Sequence, residues 1–315
     1  MNLLSYDFMQ RALIAAALIG IIAPLIGVFL VQRRLALLGD GMGHVALTGV
    51  GLAFLTGLAP VPTALVVAAL GALILELVRA RSRTAGDLAL ALVFYGGIAA
   101  GVLLTSLASG KGTTALNQYL FGSLSTVATE DVLWLVAASV LVLVILALFG
   151  REFFAMTLDP DVAHVQGIRT TRLGILLTVL AAVTVVIGMR TVGLLLVSAI
   201  MIVPVAAAQQ LAGSFRATAV GGVILGLVCS VSGLATSFAI DVPPGPTIVL
   251  LALAAFVLAA LIAIPLRRRR QRHPHLVDDA SHVHDPVDQH HPADQHDPAD
   301  QHDPADQHDT GHRDA

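Results

Sequence analysis

Nine apolar runs lie near residues 12–32, 44–57, 62–79, 86–107, 131–149, 171–189, 191–211, 217–240 and 247–266, and they leave this chain few ways to fold. Most are long enough to cross a hydrocarbon core of about 30 Å at about 1.5 Å of helix rise per residue. The second run is short. It reaches span length only by starting near Leu35, which carries Asp40 and His44 into the membrane. Composition agrees: 56% of the residues are hydrophobic, 12% are charged, and the mean hydropathy is +0.83. Soluble domains carry about 25% charged residues. The predicted fold is an all-α polytopic integral membrane protein with eight or nine transmembrane helices, surrounded by lipid and with no feature directed at nucleic acid.

Charge sets the orientation. The clusters are Arg33–Arg34, Arg79/Arg81/Arg83, Arg151, Arg169/Arg172, Arg216 and Arg267–Arg270. With the N-terminus outside and every run crossing, all of them fall inside, where positive charge accumulates. Lys111 and Arg190 then fall outside. This favours nine spans over eight and predicts a multi-pass plasma-membrane protein with a cytoplasmic C-terminus. The first run, Ala12–Val31, lacks a following small-x-small site and ends at Arg33–Arg34, so it is read as a retained helix rather than a signal peptide.

Two parts of different character follow. Residues 1–266 form the membrane body, with a charge balance of +2; residues 267–315 carry −5 and ten of the 12 histidines. The tail opens with the basic stop Arg267–Arg270 and then repeats a six-residue unit, Asp/His-Pro-Val/Ala-Asp-Gln-His, at 285–290, 291–296, 297–302 and 303–308. A Pro in every unit and no apolar periodicity predict a disordered segment. Its His290, His291, His296, His302 and His308, interleaved with carboxylates, can chelate Zn²⁺, Ni²⁺, Co²⁺ or Cu²⁺. The single cysteine, Cys229, lies in an apolar run and is read as a packing residue.

The sharpest constellation in the body is Gly39-Asp40-Gly41-Met42-Gly43-His44. An acid and an imidazole in a bilayer each need a reason to be there, because intramembrane charge costs about 2.5–3.5 kcal/mol on insertion scales. At i, i+4 they share one helix face, so one cation can touch both. A carboxylate oxygen with an imidazole nitrogen suits Zn²⁺, Mn²⁺ or Fe²⁺ better than Na⁺ or K⁺. A self-neutralising Asp–His pair at a helix interface is the structural alternative. The three glycines allow a neighbouring backbone to approach. Two further features are local. Asp159-Pro160-Asp161-Val162-Ala163-His164-Val165-Gln166-Gly167 reads as a short helix capped by Asp159, with Pro160 first and Gly167 ending it. Pro204 is expected to break the seventh run. Glu76 and Asp87 are expected at the membrane interface beside the arginines, and Asp241 in a turn. Ser109-Gly110-Lys111-Gly112-Thr113-Thr114 is not a phosphate loop, because Thr105 and Gly112 stand where that pattern needs Gly and Ser/Thr. ATP hydrolysis, if transport uses it, belongs to another subunit.

Several stretches together resemble one family, the membrane permease subunit of zinc/manganese ABC uptake transporters. They are Leu38-Gly39-Asp40 with His44, Tyr119-Leu120-Phe121-Gly122-Ser123, Asp159-Pro160-Asp161 with Ala163 and Gly167, Val192 through Ala199 to Pro204, and Pro244-Gly245-Pro246-Thr247-Ile248-Val249. The resemblance covers about residues 10–266 in the family's order. It implies a permease that pairs with a second copy of itself, a cytoplasmic ABC ATPase and an extracytoplasmic metal-binding protein. Asp40 and His44 match the intramembrane metal motif. The stretch holding Asp159, Asp161, His164 and Gly167 matches the helix that docks on the ATPase. No permanent cofactor is implied; the metal is cargo, with Zn²⁺ expected ahead of Mn²⁺ because of the tail histidines. Two departures stand out: Gly43 where many members carry Ser, and Thr48 where many carry Pro. A gradient-coupled secondary transporter would need more intramembrane acids than Asp40, an intramembrane metalloprotease would need His-Glu-x-x-His, and a metal sensor would signal through the tail.

Overall fold

The computed structural model describes residues 7–81, 86–108, 118–122 and 128–271, apart from the side chains of residues 80, 86, 87 and 266–271. Ten helices follow one another: α1 (Asp7–Gln32), α2 (Leu38–Thr56), α3 (Pro60–Arg81), α4 (Gly86–Leu107), α5 (Thr129–Leu158), α6 (Pro160–Val165), α7 (Thr170–Thr191), α8 (Leu194–Leu211), α9 (Phe215–Ile240) and α10 (Pro244–Gln271). A single turn at 118–121 precedes α5, and the described residues contain no strand. All but α6 are long and apolar enough to cross a membrane, so nine of the described helices meet that test. The helices pack within one unit, Met1–Arg270. The tail histidines His290, His291, His296, His302 and His308, and the repeats that carry them, lie outside the described residues.

The core is made by α1, α2, α7 and α8, which bury at least half of their apolar windows, while α3, α4, α5, α9 and α10 leave most of theirs outward. Leu92, Leu148 and Leu250 are among the large apolar side chains exposed on the outer helices. An apolar exterior around a packed interior is what lipid as solvent permits.

Consecutive spans run in opposite directions, so one end of the bundle gathers the close of α1 and α3 and the start of α7 and α9, with Arg33, Arg34, Arg79, Arg169, Arg172 and Arg216. The chain reverses from α1 into α2 through Arg34 in the left-handed region (φ 60°). Asp241 closes α9 with φ 53°, in the turn role expected of it. Pro204 does not break its run: α8 continues from Leu194 to Leu211 with Pro204 buried among its neighbours. The break falls earlier, at Gly193, where the backbone turns from α7 into α8. A proline inside a packed transmembrane helix is tolerated because adjacent helices cover the freed carbonyl.

Glu76 stands beside arginines, as expected, and is 4% exposed, packed between the α1–α2 turn, α3 and α7.

Candidate functional site

Asp40 lies in the first turn of α2 and His44 one turn further on. His44 Nε2 stands 3.8 Å from Asp40 Oδ1, and their side chains are 15% and 29% exposed, respectively. The pair therefore shares one helix face, as the spacing requires, and is open on one side. It sits about 9 Å or less along α2, nearer the arginine-rich end than the middle of the span.

Three neighbours fix that geometry. Phe94 of α4 meets the His44 ring edge-on, with centroids 4.9 Å apart and planes at 83°. Such T-shaped contacts match the positive edge of one ring to the negative face of the other. Thr48 donates from its hydroxyl to the carbonyls of Gly97 (3.0 Å) and His44 (3.4 Å), tying α2 to α4. Gly97 and Gly101 let those helices close up: a Cβ on Gly97 would stand 2.8 Å from Val45 N, and one on Gly101 3.2 Å from Thr48 N. This is small-xxx-small packing. None of these partners was anticipated, although the Gly97-xxx-Gly101 spacing in an apolar run was a readable signal.

On the other side α2 packs against α8. A Cβ on Gly39 would meet Met201 Sδ at 3.2 Å, and a Cβ on Gly43 would collide with the Leu194 side chain. Both departures from the family pattern thus have a local setting. The space a Ser would need at position 43 is filled by Leu194, and Thr48 supplies a cross-helix hydrogen bond that Pro lacks. His44 Nδ1 is buried without a hydrogen-bond partner among the described residues. Nε2 is the ring nitrogen that faces Asp40 Oδ1. The described residues contain no group of three or more His, Cys, Asp or Glu side chains placed to hold a metal. The pair presents one oxygen and one nitrogen donor 3.8 Å apart.

The stretches from 119, 192 and 244 meet at the start of α8. The turn at 118–122 presses Gly122 (φ 72°) onto the α7–α8 turn, where a Cβ on Gly122 would lie 2.5 Å from Val192 C. Gly193 adopts φ 90°, ψ 151°, and a Cβ on it would lie 2.5 Å from Gly122 N. Gly245 completes the junction, with a virtual Cβ 2.9 Å from Phe121 O. Gly193 leads directly into Leu194, the residue against Gly43. Beside this junction Arg190 Nε pairs with Asp131 Oδ1 at 2.7 Å, and Asp131 Oδ2 accepts from Ala128 N–H at 3.1 Å. Tyr119 packs there too, and burial pushes its phenol pKa up.

The fourth stretch is helix α6. Asp159 Oδ1 accepts from the N–H groups of Asp161 (2.9 Å) and Val162 (3.0 Å), Pro160 opens the helix, and Gly167 follows it in the left-handed region (φ 83°). Ile168 N–H reaches Ala163 O and Gly167 N–H reaches His164 O, both at 3.0 Å, the hydrogen bonds of a Schellman end. Ala163 is its buried anchor, while Asp161 and His164 are exposed and Val162 and Val165 are 51% and 88% exposed. A capped, rigid six-residue helix with bare apolar side chains sits between the last turn of α5 and the start of α7.

The ABC 3 transport family matches residues 5–263. The manganese transport system membrane protein MntC of Listeria monocytogenes is 32% identical over 262 residues, covering 83% of this chain and 93% of that protein. The manganese import system permease protein ScaB of Streptococcus parasanguinis is 31% identical over 272 residues, covering 86% and 96%. A solved structure of PsaBC from Streptococcus pneumoniae in complex with Fab superposes with a TM-score of 0.76 at 29% identity, over 86% of this chain and 98% of that one.

Proposed function

This chain belongs to the ABC 3 transport family, and we propose from that premise that it is the permease subunit of an ATP-driven importer of a divalent transition metal. The observation that carries the reading is the Asp40–His44 pair, half-open on a glycine-packed helix inside a bundle of spans. The pair offers one oxygen and one nitrogen donor. A second copy of the chain, related by a two-fold axis, brings the same pair again and raises the ligand count to four.

The cargo proposed is Mn²⁺. The sequence favoured Zn²⁺ through its tail, but relatives over most of the chain are named for manganese, and carboxylate oxygens suit Mn²⁺. Zn²⁺ remains the second reading, favoured by the ten tail histidines. The permease holds and releases the ion and does no bond chemistry. A separate ATPase closes on α6, with Asp159 and Gly167 shaping that helix and Asp161, His164, Val162 and Val165 facing the partner. An extracytoplasmic protein delivers the ion to the far end of the path. Direction comes from different ion affinity in the two access states.

Uptake by cells lacking their own manganese and zinc importers, supplied with this permease, its ATPase and its binding protein, tests the cargo. Manganese accumulation with little zinc is expected; the reverse assigns Zn²⁺, and neither metal sinks the reading. A truncation after Arg272 is expected to keep uptake, because the proposed path lies wholly in the body; loss of uptake would make the tail part of the machinery. Asp159→Ala removes a cap of about 0.5–2 kcal/mol. It is expected to weaken co-purification of the ATPase several-fold while membrane levels of the permease hold.

A further inference from the structure

Glu76 is a buried carboxylate that the ion path does not use. It stands on α3, yet its surroundings come from three places. Oε2 accepts from Arg79 Nη1 on its own helix at 2.8 Å, Oε1 lies 3.6 Å from Arg33 Nη2 on the α1–α2 turn, and the Thr178 hydroxyl of α7, which donates to Gly174 O at 3.0 Å, also reaches Oε2 at 3.4 Å. Gly174, also on α7, leaves the room: a Cβ there would collide with Oε1. Burying a charge in apolar surroundings is costly unless it is paired, so this cluster constrains the elements that contribute to it.

The pairing is uneven. Two guanidiniums face one carboxylate, and Arg33 Nη1 is buried without a partner among the described residues. Burial pushes the Arg33 pKa down and Glu76 pulls it back up. The tight contact is within α3; the loose contacts are the ones between elements. A small displacement of α7 that moves Thr178 and Gly174 therefore changes how Glu76 divides its charge between Arg79 and Arg33.

Each loose partner is adjacent to a part of the transport machinery. Arg33 precedes Arg34, whose left-handed turn launches α2 and its first-turn Asp40. Gly174 and Thr178 lie in the early turns of α7, which follows α6 through residues 166–169. We propose that Glu76 is a positioning residue that couples the start of α7, and through it the α6 dock, to the turn that aims Asp40. This rests on the permease reading above.

The test uses the whole transporter (permease, ATPase and binding protein) in proteoliposomes, measuring both ATP hydrolysed and Mn²⁺ moved. Glu76→Gln removes the shared charge; Gly174→Ala keeps all three charges and displaces the carboxylate. Both are expected to keep ATP hydrolysis within about twofold of wild type while Mn²⁺ moved per ATP falls about tenfold, inside the usual range of coupling between sites. Where either variant fails to insert, Thr178→Val, which removes one hydroxyl at constant volume, is expected to shift the same ratio in the same direction. An unchanged ratio in the inserted variants overturns the coupling role and leaves the permease reading standing. Parallel loss of hydrolysis and transport, with the ratio preserved, also overturns it, because that is the signature of a structural residue. Wild-type protein that hydrolyses ATP and moves no metal overturns both.

Discussion

Asp40→Ala and His44→Ala are each expected to reduce metal uptake by about 100-fold or more, while the protein continues to insert and accumulate in the membrane. The size follows from ligand count. Losing even an outer-shell partner of a metal costs about 10–100-fold in affinity, and on the function proposed above each substitution removes one of the two direct ligands of each chain. The persistence of the fold follows from the contacts. Asp40 is 29% exposed and its recorded partner is His44 at 3.8 Å, so its removal leaves no buried charge behind. His44 gives up one edge contact with Phe94, a loss of about 0.5–1.5 kcal/mol beyond area. Metal content of energised cells, alongside membrane levels of each variant, is the measurement. Normal uptake by either variant would make the pair a self-neutralising contact and move the search for the path to another part of the bundle.

Gly193→Ala is expected to deplete folded protein from the membrane. Its backbone, at φ 90° and ψ 151°, occupies a region essentially reserved for glycine, and holding another residue there costs about 1–3 kcal/mol. The added methyl would also stand 2.5 Å from Gly122 N and 2.6 Å from Phe121 C, which are backbone atoms with no rotamer to yield. Overpacking adds about 1–3 kcal/mol, against a total stability of about 5–15 kcal/mol for folded domains. Gly57→Ala is the control. Gly57 also has positive φ, at 72°, but nothing lies within 4 Å of its virtual Cβ. It is expected to lower thermal stability in detergent only slightly. Equal effects at both positions would show that backbone conformation alone, and not the 118–122 junction, sets the cost.

The difference between what was readable and what was not runs along one physical line. Helix α6 was readable because Asp159, Pro160 and Gly167 act within a few residues of chain: a side-chain oxygen reaching two N–H groups, a pre-set φ, and a left-handed stop. The Asp40–His44 face was readable because helix periodicity alone brings i and i+4 together. Pro204 misled because the same local rule has no knowledge of neighbours, and α8 is covered by helices that let it continue. Glu76 was readable in part: its place at a span end beside arginines was local, whereas Arg33 and Thr178, 43 and 102 residues away along the chain, could not be foreseen as the groups that enclose it.

The sequence by itself determined that this chain builds an all-helical bundle of eight or nine apolar spans, that a short capped helix follows Asp159, and that an acid and an imidazole share one face of the second run, because hydropathy, capping and helical period are properties of neighbouring residues. Only the tertiary structure decided that Phe94 and Thr48 hold that pair in place, that Leu194 occupies the space beside Gly43, that the stretches at 118–122, 192–193 and 245 meet in one glycine junction, and that Glu76 bridges the α1–α2 turn to α7. Those contacts depend on which helices lie side by side and at what separation, and in lipid that is set by shape, small residues and buried polar pairs rather than by hydrophobicity, which is nearly uniform along the spans.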